Sequence, residues 1–296
     1  MAFKLPNLAE SAAALRWARR LLLLQGRLRS NEPTQILGCA LFGALVGALT
    51  AGLHELVDAI HHVVFNIGGD HSLSAGIGVD PDRILIVPAL GGLVLGIGAI
   101  IMRRYRPNDV VDPIEANALH GGRMSLKDSL RLLVATVWSN GSGVSVGMEA
   151  GYSQLGAVVL AKAGQYFRLR REDQRIFVAA GAGAAIAAAF NTPLAGAFYG
   201  YELILGGYSV RALAPVAAAA LSATVAERVL MHPEVLFEVQ DFVAIPQWFY
   251  WLFAVLGILA AGFSVLAMQS VTWAERLLRR LPLPQWLRPA IGGVLL

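Results

Sequence analysis

The sequence predicts an all-α integral membrane protein, a helical bundle that contains broken and re-entrant helices. Of its 296 residues, 56% are hydrophobic and 15% are charged, whereas a soluble domain carries about 25% charged residues. The mean hydropathy is +0.58, and the 31 glycines suit helices that pack closely in lipid. One soluble core would not bury this much apolar surface, so we expect the lipid bilayer to surround the chain.

Two kinds of apolar segment divide the chain. Four long runs, at about 36–64, 84–102, 211–230 and 248–274, are sufficient to cross a hydrocarbon core of about 30 Å. Shorter runs broken by Gly, Asn and Pro lie at about 113–119, 126–139, 149–166, 176–190 and 193–205, and a last run begins at 288. Broken helices are tolerated at membrane depth only when they are buried in protein or line a watery path. We therefore expect the functional site between about residues 109 and 205.

The distribution of charge predicts the topology. Basic residues cluster in the N-terminal segment and at 103–106, 123–131, 168–175 and 276–288, whereas the connections 66–83 and 232–246 are acidic. The positive-inside rule places the basic segments and the N-terminus in the cytoplasm, with the cell (inner) membrane as the expected location. Residues 1–34 are then expected to form a cytoplasmic amphipathic segment that lies on the membrane surface.

Several classes of function are excluded by the composition. The net charge of +4 does not indicate nucleic-acid binding, because no aromatic residues are interleaved with the basic clusters as stacking platforms. The sequence contains no Walker loop, no acid–base pair and no convincing metal cluster. We therefore predict that the protein is not an enzyme and that it needs neither a cofactor nor a metal.

A short motif occurs twice. Pro88-Ala-Leu-Gly-Gly92 recurs as Pro289-Ala-Ile-Gly-Gly293, and each copy follows a long apolar span and a polar connection. Many transporters consist of two repeats of opposite topology. We expect residues 35–230 to form the first transmembrane repeat and 231–296 to form an outer loop and a truncated start of the second. The chain is thus interpreted as a fragment whose exposed repeat interface favours aggregation.

Three segments carry features that suit an anion site. Asp112 before Pro113 predicts a helix start, Glu149 lies between glycines ahead of an apolar helix, and the segment 190–193 ends one helix and begins the next. The N-terminus of a helix exposes unpaired N–H groups and the positive end of the dipole. Several such ends that converge in a membrane bind an anion without a full positive charge, so the anion also leaves easily.

Glu149 is the most informative residue in these segments. A carboxylate within the membrane is costly and is a functional candidate by default. When ionised it would occupy an anion site itself, and it would leave when protonated or when an anion competes, which makes it a gate. The alternative is a structural role, in which the Glu149 side chain only caps its helix.

The segments around Glu149, Asn191 and Pro113 resemble sequence motifs of a known family. The segment Gly147-Met-Glu-Ala-Gly-x-x-Gln-x-Gly156 resembles the Gly-Arg-Glu-Gly-Pro-x-x-Gln-x-Gly motif of the CLC chloride channels and proton/chloride exchangers. The Ala-rich stretch from Gly181, followed by Phe190-Asn-Thr-Pro-Leu-Ala-Gly196, is similar to the most recognisable stretch of that family. Pro113-Ile-Glu115 fits the end of its Gly-Ser-Gly-Ile-Pro-Glu segment. The similarity runs in order from about residue 35 to the C-terminus.

The resemblance implies an inverted-repeat fold, a homodimer with one pore per subunit, and transport of chloride or a similar small anion. It implies either a channel of the voltage-gated type or a weakly proton-coupled exchanger, and it aligns Glu149 with the gating glutamate. The residues that match the anion-binding motifs are Val110, Val111, Asp112, Pro113, Gly147, Met148, Ala150 and Gly151. Those that match the helix junction are Phe190, Asn191, Thr192 and Pro193.

Departures from the family pattern affect selectivity and coupling. Val110 stands where the family has its anion-binding serine. Asp112 replaces an apolar residue, and it either caps its helix or repels anions from the path. Glu202 matches the first glutamate of an internal pair, whereas Leu203 replaces the second, which argues for passive conduction. Glu202 is therefore a candidate for the proton path or a structural residue.

Two other readings remain open. A secondary transporter of another small solute would also use discontinuous helices. A non-transporting membrane scaffold would leave both Glu149 and the broken helices without a purpose.

The pore-lining tyrosine and the Gly-x-Phe-x-Pro segment that the family carries in its second half do not occur within these 296 residues.

Overall fold

The computed structural model describes residues 25–26, 31–67, 79–105, 109–144, 146–231, 246–280, 284 and 286–295. Within these residues the regular structure is entirely helical, which confirms the predicted all-α class. The main helices are α1 (Glu32–Phe65), α2 (Pro81–Tyr105), α3 (Pro113–Ala118), α4 (Leu126–Gly141), α5 (Glu149–Tyr166), α6 (Arg171–Ala189), α7 (Pro193–Tyr199), α8 (Val210–Leu230), α9 (Tyr250–Arg280) and α10 (Arg288–Leu295). Most of the predicted segment 1–34 and of the connection 232–246 lies outside the described residues.

Four of these helices, α1, α2, α8 and α9, are long and apolar enough to cross a membrane. They correspond to the four long apolar runs of the sequence. Helix α1 alone has 34 residues, or roughly 51 Å at 1.5 Å per residue, which exceeds a bilayer core of about 30 Å and requires a tilt. It ends at Asn66, whose φ of 54° is left-handed and stops the helix.

The core of the molecule is a bundle of α1, α5, α6 and α8 that is held together by close backbone contacts. Gly156 on α5 packs directly on the backbone of Gly181 on α6, and a Cβ at either position would overlap the partner's carbonyl oxygen. Gly47 on α1 packs in the same way on Ala223 of α8. Small residues permit this approach, and close packing rather than the hydrophobic effect holds helices together in lipid.

Helices α6 and α7 form a re-entrant hairpin. Gly183 of α6 packs on Gly196 of α7, and Gly200 packs back on Ala179, so the second arm runs antiparallel to the first. A π-helical turn, Gly200–Leu205, continues α7 and ends at a glycine with a φ of 74°. The hairpin returns the chain to the side from which it came, as the broken apolar runs predicted.

The duplicated Pro-Ala-x-Gly-Gly motif lies in a reciprocal contact between α2 and α10. A Cβ at Gly92 would overlap the carbonyl oxygen of Pro289, and a Cβ at Gly293 would overlap that of Pro88. The two contacts exchange equivalent positions of the motif, as an internal twofold axis requires. The geometry therefore supports the proposed repeat, although α10 is all that the described residues include beyond α9.

The helix ends that carry the basic clusters share one face of the bundle. Arg211 at the start of α8 forms ion pairs with Glu32 at the start of α1 (3.9 Å) and with Glu172 at the start of α6 (3.8 Å). The side-chain amide of Gln174 donates to the carbonyl of Gly122, which brings the 119–125 loop to the same end. We call this end, with Arg123, Arg168 and Arg171, the basic face.

The opposite face is formed by the other ends of the same helices. A ring nitrogen of His61 near the end of α1 hydrogen-bonds the carbonyl of Asn140 at the end of α4 (2.9 Å). Arg83 at the start of α2 donates to the carbonyl of Val64 (2.8 Å). Helix α2 therefore runs back towards the basic face and delivers Arg103 and Arg104 there.

Candidate functional site

Helix α3 begins as the sequence predicted. The Oδ1 atom of Asp112 accepts a hydrogen bond from the Glu115 backbone N–H at 2.7 Å, and Pro113 occupies the first turn. An acidic N-cap satisfies one of the free N–H groups and interacts favourably with the dipole. The capping interpretation of Asp112 is therefore correct, and its engaged carboxylate oxygen is directed at its own helix.

Glu149 is the first residue of α5, and its side chain is exposed. Among the described residues, no hydrogen bond or ion pair connects its carboxylate to another group, and the N-cap residue Met148 makes no side-chain cap. The carboxylate folds back over Gly147, where a Cβ would overlap both of its oxygens. The structure thus gives no support to the capping alternative, while the gating role of Glu149 stays a prediction.

The other residues of the two anion-binding motifs differ in burial. Val110 and Val111 are half-buried and Pro113 is buried below them. In the second motif Met148 and Gly151 are buried, whereas Gly147 and Ala150 are exposed beside Glu149. Backbone at Gly147 and Ala150 is therefore accessible where α5 begins, which is the part of a helix that attracts anions.

Sequence reasoning missed the residue that joins these motifs. Gln154, one turn beyond Glu149 on α5, is 1% exposed, and its amide donates to the carbonyl of Val111 at 3.1 Å. The first two motifs are therefore connected in space. Gln154 belongs to the same Gln-x-Gly motif that carried the family resemblance, but nothing in the sequence indicates its partner 43 residues away.

A cavity of about 1110 Å³ lies at the basic face, and Val111 of the first motif is part of its lining. The lining also includes His120, one acidic residue, Asp128, and three arginines, Arg123, Arg168 and Arg171. A cavity whose charged groups are mainly positive raises the local concentration of anions. The basic clusters that predicted the topology thus also form an electropositive mouth beside Val111.

The helix junction at 190–193 lies apart from the two connected motifs. Asn191 has a left-handed φ of 54°, and its side-chain oxygen accepts a hydrogen bond from Arg228 of α8. Pro193 then opens α7 with no side-chain cap from Thr192. No hydrogen bond in the described part of the chain joins Phe190 or its neighbours to the Glu149 motif, and the junction forms the turn of the hairpin.

Glu202 lies on the π-helical turn and is exposed. It accepts a hydrogen bond from the hydroxyl of Tyr208, and this bond raises the pKa of Tyr208 above its ordinary value. The turn is tied to α3 by Asn117, whose side-chain amide donates to the carbonyl of Ile204 at 2.8 Å. Across the residues that the structure covers, no group of three or more His, Cys, Asp or Glu side chains is arranged to bind a metal.

The helical bundle, the re-entrant hairpin and the four helices long enough to cross a bilayer define a multi-pass helical membrane protein. The sequence model of the family described as "Voltage gated chloride channel" matches residues 91–296. The chain belongs to this family, which confirms the resemblance to the CLC channels and exchangers. It is therefore an integral membrane protein.

Two curated relatives show the extent of the similarity. The chain is 28% identical over 253 residues to the "Voltage-gated ClC-type chloride channel ClcB" of Yersinia pseudotuberculosis serotype O:1b (strain IP 31758), covering 84% of this chain and 61% of the relative. It is 29% identical over 269 residues to the protein of the same name from Salmonella typhi, covering 88% and 63%. The chain thus spans about three fifths of the length of these relatives, whose names denote channels rather than enzymes.

Two solved structures have a similar fold. A slow cyanobacterial Cl⁻/H⁺ antiporter matches with a TM-score of 0.70 and 25% identity, covering 88% of this chain and 63% of the other. A CLC-type fluoride/proton antiporter matches with a TM-score of 0.64 and 20% identity over the same shares. The predicted fold class, a CLC-like bundle with broken and re-entrant helices, is confirmed.

Proposed function

We propose that the protein transports chloride or a similar small anion across the membrane, as a CLC-type channel or a weakly proton-coupled exchanger. The observation that carries the proposal is the Glu149 carboxylate. It lies exposed at the first residue of α5, makes no hydrogen bond or ion pair among the described residues, and folds over a glycine. A carboxylate that no described residue holds by a hydrogen bond or an ion pair can compete with an anion for the same helix N-terminus.

The anion route in this proposal uses backbone rather than basic side chains. Anions gather at the cavity on the basic face, pass Val110 and Val111, and reach the accessible backbone around Gly147 and Ala150. Glu149 closes the route when its carboxylate is ionised and occupies this place. Protonation or a competing anion displaces it.

The coupling to protons is proposed to be weak. Leu203 provides no ionisable group beside Glu202, and Glu202 itself is engaged by Tyr208. A Glu202 side chain held in this way stabilises the loop between the π-helical turn and α8. Passive conduction is therefore favoured over a fixed exchange of chloride for protons.

The assembly and orientation are also proposals. The basic face suits the cytoplasmic side of the cell (inner) membrane, because the starts of α1, α6 and α8 and the end of α2 all lie there. The family resemblance suggests a homodimer. Many large apolar side chains on α8 are exposed, among them Leu221 and Val225, and they suit contact with lipid or with a second subunit.

The test is chloride efflux from liposomes, measured with the 296-residue chain and with a form extended by the second part that its relatives carry. Efflux that is selective for chloride over potassium would support the proposal. Flux of a radiolabelled organic solute, with no halide flux from either folded form, would instead favour a secondary transporter of another class. The voltage dependence of the current in a planar bilayer would separate a gated channel from a passive one.

A further inference from the structure

We propose that Gln154 is a positioning residue that orients the Val111–Asp112 peptide so that its N–H, and not its C=O, faces the anion route. The inference rests on the proposed anion transport. It concerns a residue that joins the two anion-binding motifs in space and is not itself one of the predicted anion-binding positions. Its side chain is 1% exposed, so its contacts are entirely within the protein.

Both N–H groups of the Gln154 side-chain amide are used. One donates to the carbonyl oxygen of Val111 at 3.1 Å, and the other donates to the Oγ atom of Ser129 on α4 at 2.9 Å. The amide therefore joins α5 and α4 to the segment that precedes α3. A single buried side chain controls the backbone immediately before the N-cap residue Asp112.

The orientation of the amide is fixed by its partner. A carbonyl oxygen only accepts hydrogen bonds, so the NH₂ group of Gln154 must face Val111. The flipped amide would set two acceptors against each other in a buried position. The Oε1 atom of Gln154 is itself buried and has no hydrogen-bond partner among the described residues. An unpaired buried oxygen is unfavourable. Its presence indicates that the position of the two N–H donors of Gln154 is more important here than full hydrogen bonding of the amide.

The consequence for the anion route follows from the planarity of the peptide bond. In a trans peptide the C=O and the next N–H point in opposite directions. Because the C=O of Val111 is bound to the Gln154 amide, the N–H of Asp112 is directed away from that amide. A released Val111 carbonyl would be free to rotate, and its partial negative charge would then repel an anion beside Val110.

Another buried amide provides a matched control. Asn117 on α3 is 1% exposed, and its amide donates to the carbonyl of Ile204 at 2.8 Å. Gln154→Met and Asn117→Leu each remove one buried amide and its hydrogen bond to a distant backbone carbonyl. Only the first frees the carbonyl of Val111, so a purely structural role predicts a comparable loss of chloride efflux for both variants.

The experiment is chloride efflux from liposomes at pH 4.5 and 7.5 for the reconstituted protein and its variants. They are compared in the wild-type and the Glu149→Ala background, so that protonation of Glu149 does not contribute in the second. We expect Gln154→Met to lower chloride efflux by about tenfold, the effect of one hydrogen bond of ordinary strength, and Asn117→Leu to change it much less. Equal losses in the two variants would overturn the proposal.

Gln154→Glu gives a second test that does not depend on the folding of the methionine variant. A protonated carboxyl donates one O–H to Val111, whereas an ionised carboxylate repels the same carbonyl. Efflux through Gln154→Glu should therefore recover at pH 4.5 and fall at pH 7.5 in the Glu149→Ala background. An efflux that is independent of pH would overturn the proposal. Absence of chloride efflux from the folded wild-type protein would overturn the proposed function, and the role of Gln154 with it.

Discussion

Helix α9 and the α5–α6 pair are both apolar, yet they have opposite surroundings. Every described side chain of α9 is exposed, including large ones such as Phe253, Leu256 and Ile258, whereas α6 is buried along nearly its whole length. The two regions also differ in residue size, because α6 is rich in Ala and Gly while α9 is rich in Leu, Phe and Trp. Hydrophobicity identifies a membrane helix, but small residues identify the helices that pack closely with each other.

The largest expected effect comes from enlarging a glycine inside this packed pair. Gly156→Val would force a side chain into the backbone of Gly181, so we expect a loss of stability at or above the upper end of the range of about 1–3 kcal/mol for overpacking. Thermal unfolding in detergent and the yield of monodisperse protein measure it. The control is Gly257→Val on α9, where a Cβ meets nothing within 4 Å. Equal losses in the two variants would contradict the comparison.

The second effect is functional and leaves the bundle intact. Gly147→Ala places a methyl group where the Glu149 carboxylate lies, so we expect the carboxylate to be displaced and chloride efflux at neutral pH to rise by about tenfold, the equivalent of 1.4 kcal/mol. The same substitution in the Glu149→Ala background should change efflux little. A similar rise in both backgrounds would show that Gly147 acts independently of the carboxylate.

The third prediction separates the capping hydrogen bond of Asp112 from the effect of its negative charge on anions. Asp112→Ala removes the hydrogen bond to the Glu115 N–H and should cost about 1 kcal/mol of stability. Asp112→Asn retains a capping oxygen, so stability should change little. If efflux rises strongly in the Asn variant, the charge of Asp112 opposes anions after all, and its role is more than that of a cap. Denaturant titration and liposome efflux measure the two quantities.

The smallest effect is expected at the surface of the basic face. Arg211 pairs with Glu32 and Glu172, but its side chain is 65% exposed and both distances approach 4 Å. Exposed ion pairs contribute roughly 0–1 kcal/mol, so Arg211→Ala should leave the unfolding temperature nearly unchanged. A large drop, measured in the same detergent, would mean that these helix starts contribute as much to stability as the small-residue contacts of the bundle.

The sequence alone predicted most of the helices, because apolar runs and Pro or Gly breaks are local signals. The apolar run at about 176–190 covers only part of α6, which begins at Arg171. The charged residues Glu172 and Asp173 lie outside an apolar run, although acidic residues favour a first helical turn. The cap by Asp112 was equally local and was predicted correctly.

The parts that were missed depend on contacts between distant segments. The bond from Gln154 to Val111 joins residues 43 positions apart, and no local pattern reveals it. The basic cavity likewise unites the 119–128 and 165–174 segments, which the sequence marked only as cytoplasmic loops. The gating role of Glu149, the proton-path role of Glu202 and the homodimer stay predictions.

The most direct measurement is the pH dependence of chloride efflux from liposomes, compared between the wild-type protein and Glu149→Ala in the form extended through the second part of its relatives. The proposed gate predicts that Glu149→Ala retains or increases chloride efflux and loses its dependence on pH. If Glu149→Ala abolishes efflux while the purified protein remains folded and monodisperse, Glu149 is not a gate, and the account of the anion route is wrong.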